Sequence, residues 1–153
     1  MFYEESLLAE LEGTNFLQIL NKKKEDIRDD FKEISSYFEG TEENFDFTSF
    51  VWARMIISSR IFGIQIKGLK TDALVPLADM LNHQVPKTTS WFYSEEKNGF
   101  MVQNMDREIP QGAEIFDSYG SKCNSRFLLN YGFIQPSNSF NEVVIISLYS
   151  LFI

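Results

Sequence analysis

The chain has 153 residues, 44% hydrophobic and 15% aromatic, enough for one ordinary domain with a sizeable core and too apolar for an intrinsically disordered segment. A formal net charge of −8 argues against a general nucleic-acid binder, whose affinity would rest on Lys and Arg meeting phosphates, and it suits a basic peptide as partner. The single cysteine, Cys123, excludes a disulfide within the chain and a cysteine-based zinc cluster, and it fits an intracellular setting, cytoplasm or nucleus.

The opening "MFYEESLLAELEG" turns acidic at once and has no apolar h-region, so it does not read as a secretory signal. Leu7, Leu8 and Leu11 at helical spacing predict a short first helix ending at Gly13. Thr14 is placed to cap a longer second helix, whose Leu20, Ile27, Phe31, Ile34 and Phe38 form one apolar stripe. The run "NKKKEDIRDD" lies mostly off that stripe and reads as a solvated face. "TEENFDFTS" is a predicted loop leading to a helix start capped by Asp46 or Thr48. The helix that follows, "SFVWARMIISSRIFG", is apolar almost all round and is expected to be buried, with Arg54 and Arg60 as exceptions. A buried arginine needs a partner, since leaving one unpaired costs about 3–5 kcal/mol.

From residue 71 the texture changes. "ADMLNHQVPKTTS" holds Asn82 and the chain's single histidine, His83; read alone, the pair reads as a turn that happens to hold a histidine. "TTSWFYS" and "GFMVQN" are rich in β-branched and aromatic residues and are joined across "EEKNG", which predicts a hairpin with Asn98-Gly99 at the turn. "IPQG" places Pro110 and Gly112 as a type I turn would. A short strand "AEIFDSY" is expected next, then a helix "NSRFLLNY" closed by Gly132 at C′, then a last strand "NEVVIIS". The final apolar run, "VVIISLYSLFI", is 11 residues long, too short to span a bilayer as a helix. The chain ends inside it, as a truncated element would. The fold class expected from this order is α+β.

Three stretches fall in order: "SRIFG" at 59–63, "LVPLADMLNH" at 74–83, and "GAEIFDSYGSKCNSRFLLNYGF" at 112–133. Together they resemble the SET-domain protein methyltransferases, in the branch similar to the plant Rubisco large-subunit lysine methyltransferase. The resemblance covers residues 45–140 best. It implies a SET-domain fold of short twisted strands, turns and a knot-like C-terminal segment, preceded by a helical insertion. The implied layout is a helical insertion over 1–66, the C-terminal part of the SET core over 67–140, and the truncated start of a following strand or substrate-binding region over 141–153. The N-terminal SET segment of the family, with its glycine-rich strand, has no counterpart in the sequence.

The resemblance also implies a chemistry: S-adenosyl-L-methionine-dependent methylation of lysine in a protein substrate, with no metal, nucleic acid or membrane involved. Tyr119 in "DSYG" matches the family's catalytic tyrosine, whose hydroxyl faces the transferring methyl. Asn82, His83, Arg60 and Phe133 match cofactor-binding positions, with Tyr119 beside them. Ser59, Phe62, Asp79 and Tyr131 match the lysine channel, and the apolar wall of Phe62 favours lysine over histidine as the target. Asp79 is an alternative ion-pair partner for Arg60. Asp117 and Ile61 depart from the family pattern; Asp117 could face the channel mouth or turn to solvent. The competing reading is a non-catalytic SET-fold module that binds partners.

Overall fold

The computed structural model describes residues 3–38, 45–105 and 108–143. In chain order the elements are α1 (Glu5–Ala9), α2 (Asn15–Ser35) running into a 3₁₀ turn at Ser36–Phe38, and α3 (Phe47–Arg60). Then come β1 (Ile61–Ile66), β2 (Leu69–Leu74), a 3₁₀ turn at Ala78–Met80, β3 (Asn82–His83), β4 (Thr89–Ser94), β5 (Gly99–Asn104), β6 (Phe116–Asp117) and α4 (Asn124–Tyr131). The chain divides into two compact units, Met1–Val51 with Lys122–Ile153, and Trp52–Ser121. The α+β expectation holds. The strand expected at 141–147 lies largely outside the described residues, as does much of the loop expected at 41–49.

The helical unit is built by the signals that the sequence displays. Thr14 caps α2, its Oγ1 accepting the Leu17 N–H at 3.3 Å. Leu20 and Ile27 are 1% and 3% exposed, so the predicted stripe is the buried face. Phe31 lies at the centre of a ring cluster with Phe45, Phe47 and Phe50, and Phe38 stacks on Phe45. Ile34 departs from the stripe at 38% exposure. The polar face is solvated, as the Lys22–Asp26 and Asp29–Lys32 pairs show. Lys23 is an exception: its Nζ donates to Asn130 Oδ1 at 2.9 Å and to the Leu129 carbonyl at 3.3 Å, joining α2 to the C-terminal turn of α4. Gly132 ends α4 in the left-handed region at φ 82°, which closes the last turn onto the Phe127 and Leu128 carbonyls.

The third helix settles one open alternative and corrects two expectations. Asp46, not Thr48, supplies its cap, accepting the Ser49 N–H at 3.0 Å. The helix ends at Arg60, and residues 61–66 form a strand. Ile61, Phe62, Gly63, Ile64, Gln65 and Ile66 pair with Leu74 back to Leu69 across a two-residue turn in which Lys67 and Gly68 both have positive φ. That is the type I′ hairpin geometry, which glycine at the second position makes accessible. Burial along α3 is also less than expected: Val51 is buried, but Trp52 is 62% exposed, Ile57 43% exposed and Arg54 exposed. A helix apolar all round has no periodicity to say which face its neighbours will cover.

The stranded unit holds small sheets, each of two strands among the described residues: β1–β2, β4–β5 and β3–β6. The β4–β5 hairpin forms as expected, but Asn98 takes the left-handed turn position (φ 48°) while Gly99 is already in strand, opposite Ser94. At "IPQG" the Ala113 N–H bonds to the Pro110 carbonyl at 3.0 Å with Gly112 at φ 84°, which places Gly112 third in the turn, the type II signature and not type I. The strand expected over 113–119 contracts to Phe116–Asp117.

Candidate active site

Asn82 and His83 are not in a turn. They form β3, which runs parallel to β6, with Asn82 opposite Phe116 and His83 opposite Asp117. Gln84 N–H extends the pairing to the Asp117 carbonyl at 2.9 Å. Buried Thr89 and its neighbour Thr88 direct their hydroxyls onto the Phe116 carbonyl at 2.8 and 3.1 Å, which ties the start of β4 to the same strand. The pairing brings residues 82–83 against 116–119, more than thirty positions away in the chain.

Tyr119 is held at both ends by this junction. Its backbone N–H donates to His83 Nδ1 at 3.0 Å, and its hydroxyl donates to the Leu81 carbonyl at 2.7 Å. The His83 and Tyr119 rings lie 5.2 Å apart, tilted by 31°. As Nδ1 accepts, the proton of a neutral His83 ring sits on Nε2. With its proton given to Leu81, the Tyr119 oxygen can act toward any further group only as an acceptor.

Arg60 and Asp79 form the next pair. Arg60 Nη1 donates to the Asp79 carbonyl at 2.8 Å and lies 3.3 Å from Asp79 Oδ2, with both side chains partly covered. The pairing that the sequence left as one alternative for Asp79 is therefore present. Asn82 Nδ2 donates to Glu114 Oε1 at 2.7 Å. Ser59 Oγ bonds back to the Met55 and Ile56 carbonyls at 2.8 and 3.2 Å within its own helix. Phe62 meets Trp91 and Phe100 edge to face, at 5.3 and 5.0 Å between centroids.

Asp117 faces neither a channel mouth nor solvent. It is 5% exposed, with the Trp91 indole and the Ser118 N–H beside its carboxylate as donors that favour the charged form. Burial pushes its pKa above the ordinary carboxylate value; the two hydrogen bonds and the nearby Lys87 charge oppose that shift only in part. Period-2 alternation could not foresee this, because β6 is only two residues long.

Tyr131 and Phe133 belong to the helical unit, where both pack beside the buried ring of Phe127, at 6.0 and 5.0 Å. Burial raises the Tyr131 phenol, and Lys122 sits 5.8 Å over its ring. Burial, then the nearby Arg126 charge, lowers the Lys122 ammonium. Cys123 is buried at the start of α4 with Sγ 3.0 Å from Ser125 Oγ. The stranded unit thus gathers Ser59, Arg60, Phe62, Asp79, Asn82, His83 and Tyr119. Sequence reasoning assigned no role to Glu114, Trp91 or the Leu81 carbonyl. Glu114 lies inside the "GxEIxxxYG" string and was within reach; a backbone carbonyl leaves no sequence signal.

Short parallel and antiparallel pairs packed around an Asn-His strand and a following tyrosine are a SET-domain fold. The particular relatives agree. The chain is similar to the ribosomal lysine N-methyltransferase set10 of Schizosaccharomyces pombe, at 29% identity over 95% of the chain and 27% of that protein. It is similar also to the chloroplastic Rubisco large-subunit N-methyltransferase of Nicotiana tabacum, at 27% identity over 91% of the chain and 31% of that protein. Among solved structures it matches the SET domain of LSMT bound to lysine and AdoHcy with a TM-score of 0.73 at 23% identity, covering 89% of the chain and 34% of that structure. No protein-family model matches. The chain spans about a third or less of the length of each of these proteins.

Proposed function

We propose that the protein is an S-adenosyl-L-methionine-dependent protein-lysine N-methyltransferase. The observation that carries this reading is the fixation of Tyr119, clamped by His83 at its backbone and by Leu81 at its hydroxyl. Of the relatives named above, one is a ribosomal lysine N-methyltransferase and the other a Rubisco large-subunit N-methyltransferase, and the matched LSMT domain is bound to lysine and AdoHcy. The donor set fits such a cofactor: Asn82 is an exposed amide next in the chain to Leu81, whose carbonyl fixes the Tyr119 hydroxyl, and Arg60 is anchored on Asp79, three positions before Asn82. When bound, the cofactor would supply a methyl group on a sulfonium, open to in-line attack by a neutral amine.

The chain's own residues then divide the work. Tyr119, its proton committed to Leu81, turns only acceptor density toward a group carrying partial positive charge, which stabilises a methyl-transfer transition state electrostatically. Asn82 and the His83 backbone, with Arg60, would hold the cofactor; the resemblance alone gives Phe133 the same role. Phe62, fixed by Trp91 and Phe100, offers an aromatic wall that accepts an aliphatic stem and disfavours a charged ammonium. Ser59 and Asp79 would line the lysine channel with Phe62; the resemblance alone adds Tyr131. The layout of insertion (1–66), SET core (67–140) and following region (141–153) is part of the same reading, as are a location in the cytoplasm or nucleus and the absence of nucleic-acid and membrane partners. No helix among the described residues is long and apolar enough to cross a membrane.

The test is calorimetric titration of the full-length protein with S-adenosyl-L-methionine, followed by transfer of a labelled methyl group to lysines in a cell extract. Tyr119→Phe is expected to slow single-turnover transfer by about 10²-fold, the size of one lost oxyanion-type contact, with cofactor affinity little changed. Failure to bind the cofactor defeats the proposal. Binding without any transfer favours a non-catalytic module, and unchanged turnover in Tyr119→Phe removes the role given to that residue.

A further inference from the structure

The bond between Asn82 Nδ2 and Glu114 Oε1, at 2.7 Å, lies on the surface. An exposed hydrogen bond of this kind contributes little to folding, because water replaces it when it breaks. What it does contribute is direction. A primary amide has donors on one side and acceptor lone pairs on the other, and an ionised carboxylate can only accept. Glu114 therefore commits the nitrogen of Asn82 to itself and turns the carbonyl oxygen Oδ1 away. The β3–β6 pairing makes this possible, since Asn82 stands opposite Phe116, two residues beyond Glu114.

We infer that Glu114 is a positioning residue that selects the Asn82 orientation able to accept from an ammonium, the α-ammonium of the cofactor's amino-acid end. This rests on the methyltransferase reading above. In the opposite orientation Asn82 would present its NH2 group to the ammonium, donor against donor, and binding would be opposed. The Glu114 carboxylate also leaves a negative charge beside the Asn82 amide. The pair thereby discriminates adenosyl ligands that carry an ammonium from those that lack it.

The experiment compares two ligands on the full-length protein and two variants. S-adenosylhomocysteine retains the amino-acid end; 5′-methylthioadenosine lacks it. Glu114→Ala is expected to weaken S-adenosylhomocysteine by about tenfold, one charge-assisted hydrogen bond, while 5′-methylthioadenosine binds as to the unmodified protein. Glu114→Gln, whose side-chain amide can donate as well as accept and so selects the orientation less, is expected to recover only part of the loss. Equal weakening of both ligands in Glu114→Ala would mean general damage to the site and overturns the assignment, as does an unchanged S-adenosylhomocysteine affinity. If the unmodified protein binds 5′-methylthioadenosine but not S-adenosylhomocysteine, the positioning role is lost while adenosine binding stands. If it binds neither, the methyltransferase reading fails first.

Discussion

The helical and stranded units are held together by different means. In the helical unit Leu20, Ile27 and Phe127 are buried side chains on long helices, and full burial of such a residue stabilises by roughly 1.5–3 kcal/mol. In the stranded unit the buried residues include Thr89 and Asp117 beside Ile64, and the sheets are pairs whose joints are side chains bonded to backbone carbonyls. The first arrangement tolerates sliding and repacking. The second fixes single atoms, which is what a site that must aim a phenol oxygen requires.

Three changes would break or sharpen that comparison. The largest effect is expected from Phe127→Ala, which opens a cavity where the ring is 1% exposed. Denaturant unfolding should show a loss of about 3–5 kcal/mol, and a loss below 1 kcal/mol would show that apolar burial does not dominate the helical unit. Thr89→Val keeps the shape of a side chain that is 2% exposed and deletes its bond to the Phe116 carbonyl. The expected loss is about 1–2 kcal/mol, moderated because Thr88 bonds to the same oxygen. A neutral result would mean that the polar joints of the stranded unit are dispensable.

The smallest effect concerns acid and Asp117. Its folded pKa stands above the ordinary carboxylate value, so the folded state holds that proton more tightly than the unfolded chain does. The resulting contribution is fully present below the unfolded pKa and is lost as pH rises through the raised folded value. Asp117→Asn should remove this term, steepening the loss of stability as the solution is acidified through that window and relieving a buried charge at neutral pH. Thermal melts across an acid pH series test the slope. Identical slopes in both proteins would mean that Asp117 does not titrate differently in the two states.

Much of the helical unit was legible because its signals are local. A Thr14 cap, a stripe at helical spacing and a Gly132 terminator each act within a few residues, and each was found where expected. The end of α3 was misjudged because Ile61 and Phe62 are apolar on either reading, and only their pairing with Leu74 and Ala73 makes them strand. The resemblance named Tyr119, Asn82 and His83, but it assigned nothing to Glu114, Trp91 or Leu81, which orient or support the residues it named.

The sequence by itself determined the α+β class, the helix boundaries set by capping chemistry, the β4–β5 hairpin and the identity of the residues proposed for chemistry. Only the tertiary structure decided that Asn82-His83 is a strand and not a turn, that Arg60 pairs with Asp79, and that Asp117 is buried. The reason is range. Caps and tight turns are settled between neighbours in the chain, whereas a two-residue parallel pair has almost no intrinsic preference and exists because distant segments meet there.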